Sequence, residues 1–448
     1  MPLAAESLTS RLVELLLAKP ISLADRQRAA IHLLDWLGCV AAGSQSEVAA
    51  IFRSQLSPAE AGVTALWQGR YSLESALAYN AALGNVLEMD DVHRRSILHP
   101  GPVVIPAALA VAEYTGASVS QLLDAIILGY EVTIRIGSAV GRSHYRYFHN
   151  TSSCGAFGAA MAAGVLWHLS SSQLVSALGN AGSRTGGLWQ MRHEGVHTKQ
   201  WHNAEAAKSG VAASRLALAG LTGPRAILEG PQGFFAAMSE DAEPEKTLEP
   251  AAHWLMHDCT FKPWPACRHA HPAIDALETV LQREQLDVTD IAAVEIESYQ
   301  DALTFCDKPL PRTEAEARFS IQHAIACRLV LGEPELWHYQ QAHLQDAAIV
   351  AMRARVQLRC VPAFENVYPA HFGAGCVVRL TDGRSYHASI HDTLGDPERP
   401  LHEQQLLKKV RSLLTAGALS AERQQALCSL SLPAASSLSA LFALLQKE

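Results

Sequence analysis

The chain has 448 residues, 49% hydrophobic and only 18% charged, with a formal net charge of −8. That length allows two or three domains, and the low charge content points to extensive buried surface, a subunit interface included. Lysine and arginine are scattered without a run or stripe, which excludes an extended nucleic-acid footprint, and no run of about 18 apolar residues marks a membrane span.

In chain order, MPLAAESLTSRLVELLLAKP carries an apolar stripe at helical spacing. It lacks a basic start, an apolar run and a small-residue cleavage site in that order, so no signal peptide is expected. From Ser7 to about Gly220 the pattern reads as helix after helix, for example LADRQRAAIHLLDWLGCVAAG, GPVVIPAALAVAEYTG and SVSQLLDAIILGYEVTIRIGSAVG. Short Gly, Ser or Pro breaks separate them. In SSCGAFGAAMAAGVLWHL, Gly155, Gly158, Ala159, Ala163 and Gly164 give one helix face very small residues, which implies close packing. Near Cys259 the character changes. FKPWPACRHAHPAIDALETVL starts with prolines and runs into a helix; IAAVEIESY alternates like a strand. TEAEARFSIQHAIACRLVLG reads as one helix capped by Thr313 and Glu316. GCVVRLTDGRSYHASI reads as a hairpin around Asp382-Gly383. The expected organisation is therefore mainly α: residues 1–258 and 396–448 form an all-helical domain, and residues 259–395 a smaller α/β domain.

Five clusters gather polar chemistry. LEMDDVHRRSILHPG holds Glu88, Asp90, Asp91, His93, Arg94, Arg95 and His99 where a buried helix stops, with an irregular backbone expected at Pro100-Gly101. YRYFHNTSSCG places His149 before a helix start, with Thr151 to Ser153 as expected caps and amides that favour an anion. HEGVHTKQWHNAEAAKSG carries Lys199 and His202, which share a face if both are helical. FKPWPACRHAHPAID carries Lys262, Arg268, His269 and His271; ARFSIQH carries Arg318, Ser320 and His323. The chain has 20 histidines, yet no H-E-x-x-H spacing, no G-x-G-x-x-G after a strand, no P-loop and no G-x-S-x-G, so no metal or cofactor is expected. Its 9 cysteines occur singly without C-x-x-C, which fits thiols in a reducing cytoplasm. What remains is a set of lysines and arginines that bind carboxylates and of histidines that move protons near neutral pH. That set suits proton abstraction next to a carboxylate, followed by loss of water or carbon dioxide or by return of the proton.

These stretches together resemble the MmgE/PrpD family. LEMDDVHRRSILHPGPVVIPAALAVAE is similar to the family segment LDFDDTHxxSxxHPGxxVxPAALAxAE. The likeness continues in order through FHNTSSCGAFGAAMAAG, VHTKQWHNAEAAKSGVAA, FKPWPACRHAHPAID and EARFSIQHAIA, from about Leu12 to Leu414. The family includes 2-methylcitrate dehydratase, cis-aconitate decarboxylase and iminodisuccinate epimerase. The resemblance implies a large all-helical domain with a smaller α/β lid, usually a homodimer, working without metal on small di- or tricarboxylates in a cleft between the domains. Carried over by position, it implies that His99, His149, Lys199 and Lys262 bind carboxylates and move the proton, with Glu88 and Asp91 facing the site or orienting its histidines. His202, His271, Arg268 and His323 are implied in substrate binding. The chain departs from the pattern at Glu88, where the family has Asp, at Val92, where it has Thr, and at His323, where many members have Tyr. Ala204-Glu205 replaces the usual Gly after T-K-x-x-H. A buried site that loses a hydrogen-bonding group changes which substrates it satisfies.

The expectation is a cofactor-independent hydro-lyase acting on a 2-methylcitrate-like hydroxy acid. The alternatives are a decarboxylase of a cis-aconitate-like acid, an epimerase or isomerase of a dicarboxylate, and a non-catalytic carboxylate-binding protein. The partners expected are a small anionic carboxylate and a second copy of the chain, with no nucleic acid or membrane.

Overall fold

Serine caps punctuate the helical part of the chain. The computed structural model describes residues 6–430, 432 and 437–447; residues 1–5, which enter the reading of the N-terminus, lie outside them. The chain divides into two compact units, one of Met1–Val86, Asp90–Cys259 and Leu407–Glu448, the other of Leu87–Met89 and Thr260–Leu406. The helices of the first unit used below are α1 (Leu8–Ala18), α2 (Leu23–Gly43), α3 (Leu73–Leu83), α4 (Gly101–Thr115), α5 (Val119–Ala139), α6 (Asn150–Leu166), α7 (Ser171–Ser183) and α8 (Thr198–Leu218). Ser7 caps α1, and Ser22–Asp25, Ser118–Gln121 and Ser170–Gln173 form reciprocal capping boxes at α2, α5 and α7, each satisfying amides that the first turn leaves orphaned.

Helix α6 is buried on all sides except at Val165, as its small, apolar composition requires. Its neighbours come close because side chains are missing where backbones meet. A Cβ on Gly158 would lie 2.5 Å from the Gly129 carbonyl of α5, and one on Gly210 of α8 would lie 2.5 Å from the Ala156 carbonyl of α6. The small-residue face read from the sequence therefore packs as expected. The start of α4 does not follow expectation. Pro100 caps it and Gly101-Pro102 begins it, so His-Pro-Gly opens a helix rather than irregular backbone. Proline is tolerated in a first turn, where its missing N–H is not needed.

In the second unit, β1 (Ile291–Ser298), β2 (Val356–Cys360), β3 (Ala374–Leu380) and β4 (Ser385–Ile390) form a sheet in the order β2-β1-β3-β4. The β1–β2 pair is parallel and the other pairs are antiparallel. Asp382-Gly383 turns the β3–β4 hairpin, with Gly383 at φ +90°, where a side chain would be strained. Helix α9 (His271–Arg283) buries Ile274, Leu277 and Val280 and packs against β3 and β4. The helix expected from Thr313 is broken in two, Glu314–Arg318 and α10 (Ile321–Leu331). Ser320 causes the break: its Oγ donates to the Lys308 carbonyl at 2.6 Å and accepts the His323 amide at 3.0 Å, starting a new helix. The tail helix α11 (Glu403–Ala416) lies from residue 407 onward in the first unit. There Lys409 Nζ sits 2.6 Å from Asp35 Oδ1 of α2, both side chains buried. Among the described residues no helix is long and apolar enough to cross a membrane. The fold is mainly α, as expected.

Candidate active site

A tight loop carries the first group of polar residues. His93 N donates to the Leu98 carbonyl at 2.8 Å, closing residues 93–98 and placing His99 immediately before α4. His99 Nδ1 lies 3.0 Å from Asp90 Oδ2 and 2.8 Å from the Asp91 carbonyl. Both partners are acceptors, so Nδ1 carries the proton and Nε2 is the atom left to exchange one. Asn85 Nδ2 donates to Asp90 Oδ1 at 2.6 Å and fixes the carboxylate that orients His99. The sequence singled out Asp91 rather than Asp90 beside that histidine. The Asp91 carboxylate is used elsewhere in the first unit: it accepts from Gly101 N at 3.1 Å and Tyr130 OH at 2.9 Å, and lies 2.7 Å from His32 Nδ1. Gly101 is required there, because a Cβ would lie 2.6 Å from Asp91 Oδ1. Asp91 thus ties the start of α4 to α2 and α5, while its backbone holds His99.

The second group meets the first at the start of α6. His99 N donates to Thr151 Oγ1 at 3.0 Å, and Asn150 Nδ2 to the Ser96 carbonyl at 3.0 Å. Thr151 and Ser153 do not cap the helix as expected. His149 holds the capping position without a side-chain cap bond, and Ser153 Oγ instead pairs with His144 Nε2 at 2.7 Å. His149 is buried, its amide donating to Gly187 O at 2.8 Å and its ring lying 4.6 Å from that of Trp189. Its Nδ1 is 3.3 Å from His202 Nδ1, and its Nε2 has no hydrogen-bond partner among the described residues. Burial drives the His149 imidazole well below its ordinary pKa, the positive charges at His202, Lys199 and His99 push the same way, and Asp90 opposes them. The same electrostatic neighbourhood therefore holds His149, His202, Lys199, His99 and Asp90. Lys199 and His202 lie one turn apart on α8, Lys199 buried and His202 half-buried. His202 is pulled down by burial first and by Lys199 second.

The remaining sequence candidates lie in the second unit. Lys262 is fully buried and its Nζ donates to Glu88 O at 3.2 Å and Oε2 at 3.4 Å. Glu88 adopts a left-handed backbone at φ +54°, a conformation uncommon for a residue with a side chain. Arg268 and His271 are engaged internally. Arg268 Nη2 is 2.7 Å from Asp396 Oδ1, and Nη1 donates to the Leu394 carbonyl at 3.1 Å and to His271 Nδ1 at 3.0 Å. His271 Nε2 faces the Ala266 carbonyl at 3.1 Å, so that nitrogen carries the proton and the ring is neutral. His323 donates through Nε2 to the His338 carbonyl at 3.0 Å, and burial drives its pKa to about 4. Tyr339, whose ring centroid is 5.4 Å from that of His323, is fully buried, and its hydroxyl has no hydrogen-bond partner among the described residues. Burial raises that phenol well above its ordinary pKa. No pattern in the sequence marks Tyr339, which sits in a plain WHYQQ stretch.

The nine cysteines, all among the described residues, form no disulfide. One group in the described residues has metal-ligand types in reach, His371, Asp392 and Glu398, with atoms within 4.8 Å of one another. His371 Nδ1 and Asp392 Oδ1 are hydrogen-bonded at 2.7 Å, which explains the proximity of those two without a cation.

Two family models match the chain: the MmgE/PrpD N-terminal domain over residues 10–247 and the MmgE/PrpD C-terminal domain over residues 264–432. A cis-aconitate decarboxylase-like protein of Aspergillus oryzae is 27% identical, with 94% of this chain and 93% of that protein covered. The cis-aconitate decarboxylase of Homo sapiens is 26% identical over 86% of this chain and 82% of its own length. The 2-methylcitrate dehydratase of Salmonella typhimurium is 28% identical over 42% of this chain and 41% of its own length.

Proposed function

The chain belongs to the MmgE/PrpD family, and from that premise we propose that it is a lyase that removes water from a small hydroxy di- or tricarboxylate. The observation that carries this reading is a pair of histidines in opposite settings. His149 is buried among cations and held neutral, whereas His99 is fixed by Asp90 with Nε2 left to exchange a proton. Groups whose surroundings set them apart serve as base and acid of one reaction. His149 Nε2 takes the proton alpha to a carboxylate, the released electron pair forms the C=C bond, the C–O bond breaks, and His99, protonated on both ring nitrogens for this step, delivers its Nε2 proton to the hydroxyl, which leaves as water. Lys199 holds a carboxylate and stabilises charge that develops on it. In the second unit, Lys262 is the corresponding carboxylate-binding candidate, with Glu88 as its partner. The proposal includes a homodimer that works without metal or cofactor, as the family resemblance implies.

A second reading is decarboxylation. It is favoured by coverage, since the decarboxylase of Homo sapiens aligns over 86% of this chain and the dehydratase of Salmonella typhimurium over 42%. There the C–C bond breaks, carbon dioxide leaves, and the acid delivers its proton to carbon. Proton NMR of the purified protein in D2O with citrate-, methylcitrate-, aconitate- and amino-dicarboxylate-type acids separates the readings. New vinyl signals from a hydroxy acid are expected. Release of carbon dioxide points to the second reading, and alpha-deuteration without a new product to an epimerase. Silence across the panel with an intact fold contradicts the proposal.

A further inference from the structure

The first unit contains a cavity of about 550 Å³ that the proton-transfer scheme leaves unused. Its wall is built from the first turns of α6, the segment following α7 and the start of α8, and His202 is part of it. His202 Nδ1 is 3.3 Å from His149 Nδ1, so the cavity adjoins the proposed base through one side chain. A volume within about 300–1,000 Å³ is typical of sites that enclose drug-sized ligands, more room than a citrate-sized acid needs. Leu188, Val196 and Trp201 form apolar parts of the wall although they are 59%, 44% and 56% exposed. Apolar groups gathered in the open mark a place where something binds.

The charges define what that is. Arg184 is the one Lys or Arg on the wall, and its side chain makes no ion pair among the described residues. The acids on the wall already have partners. Glu205 accepts from Lys208 Nζ at 2.8 Å and from Trp201 Nε1 at 3.1 Å, and Glu194 accepts from Gln190 Nε2 at 3.0 Å. We infer that the cavity is the subsite for the arm of the substrate remote from the reacting carbon, an apolar stem ending in a carboxylate that Arg184 binds. The inference rests on the lyase reading and deepens it: hydroxy di- or tricarboxylates with a longer apolar arm bind better than citrate-sized acids. Arginine suits this role because its planar fork takes a carboxylate in a bidentate grip.

Isothermal titration of the full-length protein with succinate and with the longer suberate tests it. Suberate is expected to bind at least about tenfold tighter than succinate, and Arg184→Gln is expected to abolish that preference. Val196→Glu, which adds an acid to the wall, should abolish it too. Melting curves check that both exposed-site variants remain folded. Equal affinity for the two acids, or a preference that survives in both variants, overturns the subsite. If the hydroxy-acid panel still turns over in that case, the lyase reading stands without it. If neither acid binds and the panel is silent, both fall.

Discussion

His149 and Asp90 bear most of the chemical argument, by different routes. A neutral buried base contributes about 10²–10⁴ to rate, so His149→Gln should lower kcat by that order while the melting temperature stays near that of the parent. Asp90 acts through His99, fixing its tautomer and ring. Asp90→Asn should therefore lower kcat more than it raises KM, and should shift the pH–rate profile, which a merely structural change would not do. Asp91→Asn should instead appear in stability, because that carboxylate holds Gly101, Tyr130 and His32. Residue type gathered His99, His149, Lys199 and His202 among other polar groups, and the resemblance to the MmgE/PrpD family singled them out by position. The sequence could not separate Asp90 from Asp91. Adjacent acids in a loop have no periodicity, and which one meets the histidine depends on the turn closed by His93 and Leu98. Nor could it give the proximity of His149 to Asp90, which only packing creates.

At the scale of elements, the helices and the hairpin were legible because their signals are local. Apolar stripes between short Gly, Ser or Pro breaks mark the helices within one segment of chain, and Asp382-Gly383 between alternating runs marks the hairpin. The break at Ser320 was not legible, because the acceptor that draws its hydroxyl away, the Lys308 carbonyl, is 12 residues back in the chain. The close approach of α6 to α8 predicts a sharp intolerance. Gly210→Val places atoms on the Ala156 carbonyl and should destabilise by about 3 kcal/mol or more, read as a lowered denaturant midpoint. The buried pair of α2 and α11 predicts a second effect. Lys409→Met leaves Asp35 buried without its counter-ion and should cost about 3–5 kcal/mol. Burial already raises the Asp35 carboxyl to about 6 despite Lys409, so the variant should also regain stability as pH falls and Asp35 is neutralised.

For the molecule as a whole, helical periodicity over most of the chain gives the mainly-α fold, and the buried histidines give it a distinct acid response. Burial draws His93, His144 and His323 down to about 4 from an ordinary 6.5. Between those values the unfolded chain binds protons that the folded one does not. Stability should therefore be fully present above about pH 6.5 and fall progressively towards pH 4, as thermal melts across that window would show. The raised Asp35 works in the opposite direction over the lower part of the window, and the histidines outnumber it. His149 and His99 are proposed to work as base and acid of a lyase acting on a small carboxylic acid. The most direct test is product formation from a hydroxy polycarboxylate, followed by proton NMR for the parent, His149→Gln and His99→Gln side by side. Vinyl product is expected from the parent, with at least about a hundredfold slower formation in each folded variant. Product at the parental rate in either variant, or none from the parent with any acid tested, would contradict that assignment.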